Sequence, residues 1–435
     1  MKNARETAVL TLTDVYRDGA YSNLALKKRL EKDMPGAEKR LATTLVYGVI
    51  QRQLMLDYII GQYSKIKLKK ISHYILEILR VGIYQLLYMD KIPPSAAVNE
   101  SVKLAKRYGH GASAGFVNGL LHGVIRGNVQ YPDDLIACLS VKESFPMWLC
   151  QEWVKEFGLD FAEDLMRAMN VEPRLCLRTN TLKISAGALA ERLPGGELSR
   201  LYPQAVLCNG FDIAASEEYQ KGFFTVQDIS AMLAGAALAP KAGETVIDLC
   251  AAPGGKTTHL AQLMENRGRI LAFDIHPHKI KLIEENAKRL GIDIISAQAG
   301  DACRLQSGLE NTADKVLADV PCSGLGIIRR KPEIKWNREE NNGLAEIQDK
   351  ILENAARYIK PGGEIVYSTC TIRKQENEDV VRRFLDRHRD FAPADFHMQL
   401  PQALRKDSVK NGYVTFYPNT DGIDGFFIAK FKRCK

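Results

Sequence analysis

Apolar residues recur at helical spacing through the first third of the chain. Val9, Leu12 and Tyr16 lie on one such face, and Leu45 and Val49 lie on another. The same period predicts three further helices, over residues 71–88, 96–108 and 113–126. We therefore predict an all-helical domain over residues 1–130.

The pattern changes near residue 141. Residues 173–181 alternate as a short strand, residues 186–193 have a helical period, and residues 201–213 are strand-like around a turn at Asn209–Gly210. This mixture predicts a small α/β module over residues 141–235.

From residue 236 to the end, short apolar strands alternate with amphipathic helices. Strands are predicted over 245–250, 270–275, 294–299, 315–320 and 364–369, with helices over 256–264 and 277–290. This alternation predicts a Rossmann-like α/β domain whose mostly parallel sheet is covered on both faces. Ligands of such sheets bind at the carboxyl ends of the strands, so the chemistry is expected just after each strand.

Composition narrows the class of protein. Of 435 residues, 46% are hydrophobic and 26% are charged, which is typical of folded domains rather than disordered chains. Charges interrupt every apolar run before membrane-spanning length, and residues 1–12 lack a signal-peptide core, so we expect a cytoplasmic protein. The nine cysteines are scattered without a CxxC pair, which predicts neither a disulfide framework nor a metal site.

The positive charge is concentrated in the first third. Residues 1–140 hold 20 Lys and Arg against 12 Asp and Glu, whereas the rest of the chain holds 40 of each. A basic module beside a neutral one indicates a polyanionic partner, although a solvated basic surface explains the charge equally well.

A Gly-containing turn follows the first strand of the α/β domain. It lacks two phosphate-binding signatures, because Cys250 stands where a phosphate-binding loop needs Gly and no GxGxxG occurs. The turn suits a cofactor without phosphates, such as S-adenosylmethionine, although a plain tight turn explains the glycines as well. The candidate cofactor-binding residues here are Cys250, Ala251, Ala252, Pro253, Gly254, Gly255 and Lys256. Lys256 opens a helix, where the dipole disfavours a cation, so it should have a partner.

Carboxylates follow the next two strands. Asp274 lies 20 residues beyond Gly254, the position from which an acidic side chain binds ribose hydroxyls. Asp301 follows the third strand, where a carboxylate can bind an adenine amino group. Each alone is more often a capping residue, but together they strengthen the prediction of a cofactor site.

Two cysteines follow the fourth and fifth strands, Cys322 and Cys370. Carbon 5 of cytosine cannot attack a sulfonium methyl until a thiolate has added to carbon 6, so thiols at this edge suit cytosine methylation. The reaction also needs an acid at ring nitrogen 3 and a base for the last proton. Asp319 either serves near nitrogen 3 or holds the cofactor's amino group.

Longer motifs resemble the RNA cytosine-5 methyltransferases of the Nop2/Sun/RsmB group. These are FTVQDISAML (224–233), DLCAAPGGKTTHL (248–260), ADVPCSGLGIIRRKPEIKW (318–336), YSTCT (367–371) and GIDGFF (422–427). Residues 1–130 resemble the NusB helical RNA-binding fold. This arrangement is similar to that of bacterial small-subunit rRNA methyltransferases, which implies small-subunit rRNA as partner.

The resemblance also assigns roles to residues. It implies that Cys370 is the nucleophile, that Cys322 assists release of the product, and that the cofactor contacts fall on Cys250 to Lys256, Asp274, Asp301 and Asp319. Two positions depart from the family pattern. Glu333 stands where Asp is common, and Asn419 stands where many members carry His, so no role is assigned to Asn419.

Two other polar segments have less specific explanations. The run Arg329, Arg330, Lys331, Lys335 and Trp336 suits a phosphate backbone and a splayed base, but a solvated loop is as good an explanation. Glu376-Asn377-Glu378 opens the helix after Cys370, and the helix dipole alone accounts for acidic residues there.

Two alternatives remain beside an rRNA enzyme. A tRNA cytosine-5 methyltransferase would share the catalytic motifs. An RNA-binding accessory factor would have no use for two thiols at the catalytic edge, which argues against it. Sequence does not determine the oligomeric state, and a monomer is expected.

Overall fold

The computed structural model describes residues 3–31, 33–336 and 343–434. They form two compact units, of which the first holds residues 3–170 and the segment Lys331–Trp336, and the second holds residues 171–330 and 343–434. Within the described ranges, no helix combines the length and the apolar character that a membrane span requires.

The first unit is helical, as predicted. Its helices are α1 (Ala4–Asp18), α2 (Ser22–Arg29), α3 (Gly36–Tyr63), α4 (His73–Tyr88), α5 (Pro94–Tyr108), α6 (Ser113–Arg126), α7 (Leu135–Glu143), α8 (Met147–Phe157) and α9 (Leu159–Met169). Asn3 caps α1 by accepting from the Glu6 amide, and α4 buries an apolar stripe that includes Ile75, Ile78 and Leu79.

The first unit extends further along the chain than its NusB-like part. Helices α7 to α9 belong to it, so the boundary at Asn170 falls inside the module predicted over residues 141–235. Apolar packing explains why these helices form part of the first unit, since α8 buries Leu149 and Trp153 and α9 buries Leu165. The division into three domains stays a prediction.

A small sheet opens the second unit. Its elements are β1 (Leu175–Thr179), α10 (Ala186–Arg192), β2 (Glu197–Leu198), β3 (Ala205–Cys208), α11 (Glu217–Gln220) and β4 (Phe224–Val226). The strands are antiparallel in the order β2-β3-β1-β4, over a core that contains Leu177, Leu189 and Val206. These elements confirm the strand and helix predicted over residues 173–193.

A large sheet forms the rest of the second unit. Its elements are α12 (Ile229–Leu238), β5 (Thr245–Asp248), α13 (Gly255–Leu263), β6 (Arg269–Asp274), α14 (Pro277–Leu290), β7 (Ile295–Ala299), β8 (Ala313–Asp319), α15 (Leu344–Tyr358), β9 (Ile359–Thr369), α16 (Glu378–Arg387), β10 (Phe391–Pro393), β11 (Tyr413–Phe416), α17 (Pro418–Asp421) and β12 (Phe426–Arg433). The five predicted strands and two predicted helices are all present, with bounds that differ by a few residues.

The strand order positions the site. It runs β10-β12-β9-β8-β5-β6-β7, with β5 to β9 parallel to their neighbours, β12 antiparallel to β9, and β11 paired with β12. Because β5 pairs with both β6 and β8, the order reverses there, and the carboxyl ends of these strands border one cleft.

Helix α12 was not predicted as a helix. Nearly all of its residues are buried, including Ile229, Met232 and Leu233. A helix that is apolar all round has no 3.6-residue alternation, so periodicity cannot identify it.

Candidate active site

The turn after β5 is held by the neighbouring strands. Ala251 donates its amide to the Phe273 carbonyl at 2.8 Å, and Ala252 donates to Asp274 Oδ2 at 3.2 Å. Gly254 precedes α13 at φ +100°, and a Cβ there would lie 3.2 Å from the Ile283 Cα. A side chain at this position would therefore be strained by its backbone and crowded by α14.

The end of β5 carries a buried acid. Asp248 accepts a hydrogen bond from the Thr257 hydroxyl at 2.7 Å, and burial raises the pKa of its carboxyl to about 7 despite this bond. Asp248 ties the strand to the first turn of α13 and so helps to shape the Gly-containing turn.

Arg178, on β1 of the small sheet, was not predicted as a site residue. Its guanidinium is fully buried and donates to the Gly255 carbonyl, to the Gln227 side chain and to the Thr258 hydroxyl. Burial lowers the pKa of this guanidinium to about 9. Arg178 thus holds the start of α13 from the small sheet, a contact that strand periodicity gives no means of detecting.

Asp274 and Asp301 lie at the ends of β6 and β7, as predicted. Asp274 also accepts from the His276 amide at 3.0 Å, and Asp301 Oδ1 accepts from the Cys303 amide at 2.9 Å. Both residues line a cleft of about 350 Å³. Each carboxylate therefore caps its own turn and borders the cleft at once.

The cleft has apolar walls as well as carboxylates. Ile275 is 58% exposed and Ile347 is 39% exposed, and both line it. Exposed isoleucines beside two acidic groups suit a planar base joined to a hydroxylated sugar. The residues present therefore fit the adenosine part of the predicted cofactor.

Lys256 has the partner that its helix position required. Its Nζ lies 2.7 Å from Asp319 Oδ2, and the Ser368 hydroxyl donates to Asp319 Oδ1 at 2.8 Å. Burial acts to lower the pKa of Lys256, but the charge of Asp319 and the nearby Cys370 raise it overall. A permanent positive charge thus lies near Cys370.

The two predicted thiols meet. Cys322 Sγ and Cys370 Sγ are 3.2 Å apart, and both line the cleft. The Ser323 and Thr371 hydroxyls beside them are 2.7 Å apart. The hydrogen bond with Cys370, burial and the charge of Glu376 together hold the pKa of the Cys322 thiol well above its usual value. These groups disfavour the thiolate form of Cys322.

Cys250 differs from these two thiols. Burial, together with the charges of Asp248 and Asp319, raises its pKa well above the usual value. A thiol that stays protonated is a poor nucleophile. Cys250 lines the wall of the cleft. Its role as a cofactor contact stays a prediction.

Most side chains of the basic run after Cys322 bind other residues of the protein. Arg329 and Arg330 both bind the buried carboxylate of Asp424, and Arg330 also binds Asp228. Lys335 is buried in the first unit and donates to the Gln51 carbonyl at 2.6 Å. Of the five residues predicted as possible RNA contacts, only Lys331 is exposed, so the structure favours a structural role for this run.

Family models match three consecutive parts of the chain. Residues 2–126 match the NusB family, residues 145–206 match the Methyltr_RsmF/B-like ferredoxin-like domain, and residues 235–432 match the 16S rRNA methyltransferase RsmB/F.

Relatives match the chain from end to end. A probable ribosomal RNA small subunit methyltransferase B from Bacillus subtilis is 39% identical over 99% of both chains. The chain belongs to the RsmB/F family of rRNA methyltransferases. A probable ribosomal RNA small subunit methyltransferase B from Synechocystis is 36% identical over the full length of both chains.

A solved structure extends the likeness to the fold. The crystal structure of PH0851 matches with a TM-score of 0.81 and 29% identity, covering 98% of each chain. The family, the fold class and the enzyme class predicted from the sequence, an S-adenosylmethionine-dependent RNA methyltransferase, are thereby confirmed.

Proposed function

We propose that the chain methylates carbon 5 of a cytosine in small-subunit rRNA through a covalent adduct between Cys370 and carbon 6 of the base. The observation that carries this proposal is the 3.2 Å separation of Cys322 Sγ and Cys370 Sγ at one edge of the cofactor-sized cleft. One thiol can attack while the other retains a proton, which is what a covalent addition and its reversal require.

S-adenosylmethionine supplies an electrophilic methyl group when it is bound. The residues that would hold it are the turn from Cys250 to Lys256, with Asp274 for the ribose hydroxyls and Asp301 for the adenine amino group. The apolar walls at Ile275 and Ile347 support this assignment.

Cys370 performs the first step in this mechanism. Its thiolate adds to carbon 6, forming the S–C6 bond, and the displaced electron pair moves toward ring nitrogen 3. The charge of Lys256 favours the thiolate before attack. The Lys256–Asp319 pair, joined at 2.7 Å, would pass one proton to nitrogen 3 as the S–C6 bond forms, and nitrogen 3 would return that proton to the pair when the adduct breaks down.

Cys322 acts in the last step. Once carbon 5 carries the methyl group, its proton leaves to a base, the S–C6 bond breaks and the electron pair returns to Cys370. The Cys322 thiol, 3.2 Å away, donates a hydrogen bond to the departing thiolate and lowers the barrier to release.

Support for rRNA as the substrate comes from two sides. The first 140 residues hold the excess of positive charge, and the relatives are ribosomal RNA small subunit methyltransferases. A target base must leave its stack or lie in a loop to reach Cys370. A monomer acting in the cytoplasm stays a prediction.

The experiment is methyl transfer from labelled S-adenosylmethionine to naked small-subunit rRNA and, in parallel, to tRNA, followed by mapping of the modified base. A single 5-methylcytosine in the rRNA is expected. Label in tRNA alone would overturn the substrate, and label at another atom would overturn the chemistry. If neither RNA is labelled, the assay is repeated on ribosomal particles. Binding without methylation in every case would favour an accessory factor.

A further inference from the structure

Glu376 and Asn377 lie between Cys370 and α16, in the segment whose acidic residues are expected from the helix dipole alone. Both residues are buried, Glu376 with 3% and Asn377 with 0% of its surface exposed. A dipole effect requires only a carboxylate in the first turn of the helix, and Glu378 and Asp379 already provide two. The burial of Glu376 therefore needs another reason.

Glu376 holds the turn that carries Cys322. Its Oε2 accepts from the Ser323 amide at 2.9 Å and from Gln348 Nε2 at 3.0 Å. The same Gln348 amide donates to the Pro321 carbonyl at 3.0 Å. The peptide groups on both sides of Cys322 are thus fixed by one carboxylate and one amide.

Asn377 holds the turn that carries Cys370 in the same way. Its Nδ2 donates to the Thr371 carbonyl at 3.0 Å, and its Oδ1 accepts from the Thr369 hydroxyl at 2.6 Å. Two consecutive residues therefore bind the turns on either side of the two thiols.

The carboxylate of Glu376 does more than accept these hydrogen bonds. A glutamine oxygen would accept both, whereas Glu376 Oε1 is buried without a hydrogen-bond partner among the described residues. An uncompensated buried charge is unfavourable for stability, so its presence beside Cys322 points to a use of the charge itself.

We propose that Glu376 is a positioning residue that holds the Cys322 turn against Cys370 and places a negative charge beside Cys322, so that Cys370 becomes the nucleophile. This inference rests on the proposed function. The hydrogen bond with Cys370 and burial contribute most to the raised pKa of the Cys322 thiol, and the charge of Glu376 adds to them, whereas the positive charge of Lys256 lies near Cys370.

The test is competitive alkylation of the folded, full-length protein with iodoacetamide at a fixed pH of about 8, near the ordinary pKa of a thiol. Peptide mass spectrometry then gives the ratio of label at Cys370 to label at Cys322. In the protein without substitutions, most of the label should be found on Cys370. In Glu376→Gln the ratio should fall about tenfold, because loss of the negative charge beside Cys322 increases the thiolate fraction of that thiol.

Two variants act as controls. Glu378→Gln removes the same charge two residues away, where the carboxylate accepts from the Thr415 hydroxyl, and should leave the ratio unchanged. Glu376→Asp keeps the charge and should hold the ratio nearer to that of the unmodified protein than Glu376→Gln does. An unchanged ratio in Glu376→Gln, or an equal fall in Glu376→Asp, would overturn the inference.

A second variant covers a failure of Glu376→Gln to fold. Gln348→Met releases the Pro321 carbonyl but keeps the charge. It should slow single-turnover adduct formation without changing the labelling ratio, and an unchanged rate would contradict the positioning role. Since labelling needs no RNA, a protein that labels as expected but methylates no cytosine would count against the proposed function alone.

Discussion

The turns at Cys322 and Cys370 carry the same side chain at the ends of adjacent strands, yet their surroundings differ in charge. The hydrogen bond with Cys370, burial and the charge of Glu376 raise the pKa of the Cys322 thiol. Near Cys370 lies the ammonium group of Lys256, itself held by Asp319. In the mechanism proposed above, the charge of neighbouring groups, more than the thiol itself, decides which cysteine attacks and which one assists.

The largest expected effect comes from removing the attacking thiol. Cys370→Ala should abolish methyl transfer, with a loss of about 10⁴-fold or more, because no other group can add to carbon 6. RNA affinity, measured by filter binding, should stay within about twofold, since a small thiol adds little to a phosphate-dominated interface. Methylation at an appreciable rate by Cys370→Ala would invert the assigned roles.

Removing the assisting thiol should have a different signature. Cys322→Ala should still form the adduct but release product slowly, so turnover falls about 10²-fold, as for loss of one proton-transferring group. The RNA-linked protein should then accumulate as a band that survives denaturing electrophoresis. Cys370→Ala treated identically is the control and should give no such band.

Removing the positive charge of Lys256 should make Cys370 and Cys322 more alike in reactivity. Lys256→Met removes the charge that favours the Cys370 thiolate, so the methylation rate near pH 7.5 should fall about tenfold or more, as expected when a nearby cation no longer stabilises the attacking thiolate. The folded-state pKa of Lys256 is raised, so its charge is present at neutral pH and is lost only as pH rises through that value. Because a thiol ionises without help as pH increases, the methylation rate of the variant should recover at higher pH. Parallel pH profiles of the methylation rate in both proteins would exclude a role for Lys256 in favouring the thiolate.

The smallest expected effect comes from a change near the Gly-containing turn after β5. Such a change should not alter the relative reactivity of the two thiols. Arg178→Lys keeps a positive charge but cannot reach Gly255, Gln227 and Thr258 together. The KM for S-adenosylmethionine should rise several-fold, about the net contribution of one ordinary hydrogen bond, roughly 1 kcal/mol, while the alkylation ratio of the two thiols stays unchanged. A shifted ratio would show that the cofactor turn and the thiol pair are not independent.

Much of the second unit could be predicted from local sequence. The strands β5 to β9 and helices α13 and α14 appear where apolar periodicity placed them. Asp274, Asp301, Cys322 and Cys370 border one cleft, as expected for residues that follow parallel strands. These predictions succeeded because each depends on a short window of the chain.

The sequence by itself determined the class of fold, the residue types at the strand ends and the family. Only the tertiary structure decided which groups pair. Lys256 meets Asp319 across 63 positions, Arg178 meets Gly255 across 77, and Glu376 meets the Ser323 amide across 53. Strand order and burial set such pairings, and the charged groups that surround each thiol follow from them. Spacing along the chain therefore could not predict those surroundings.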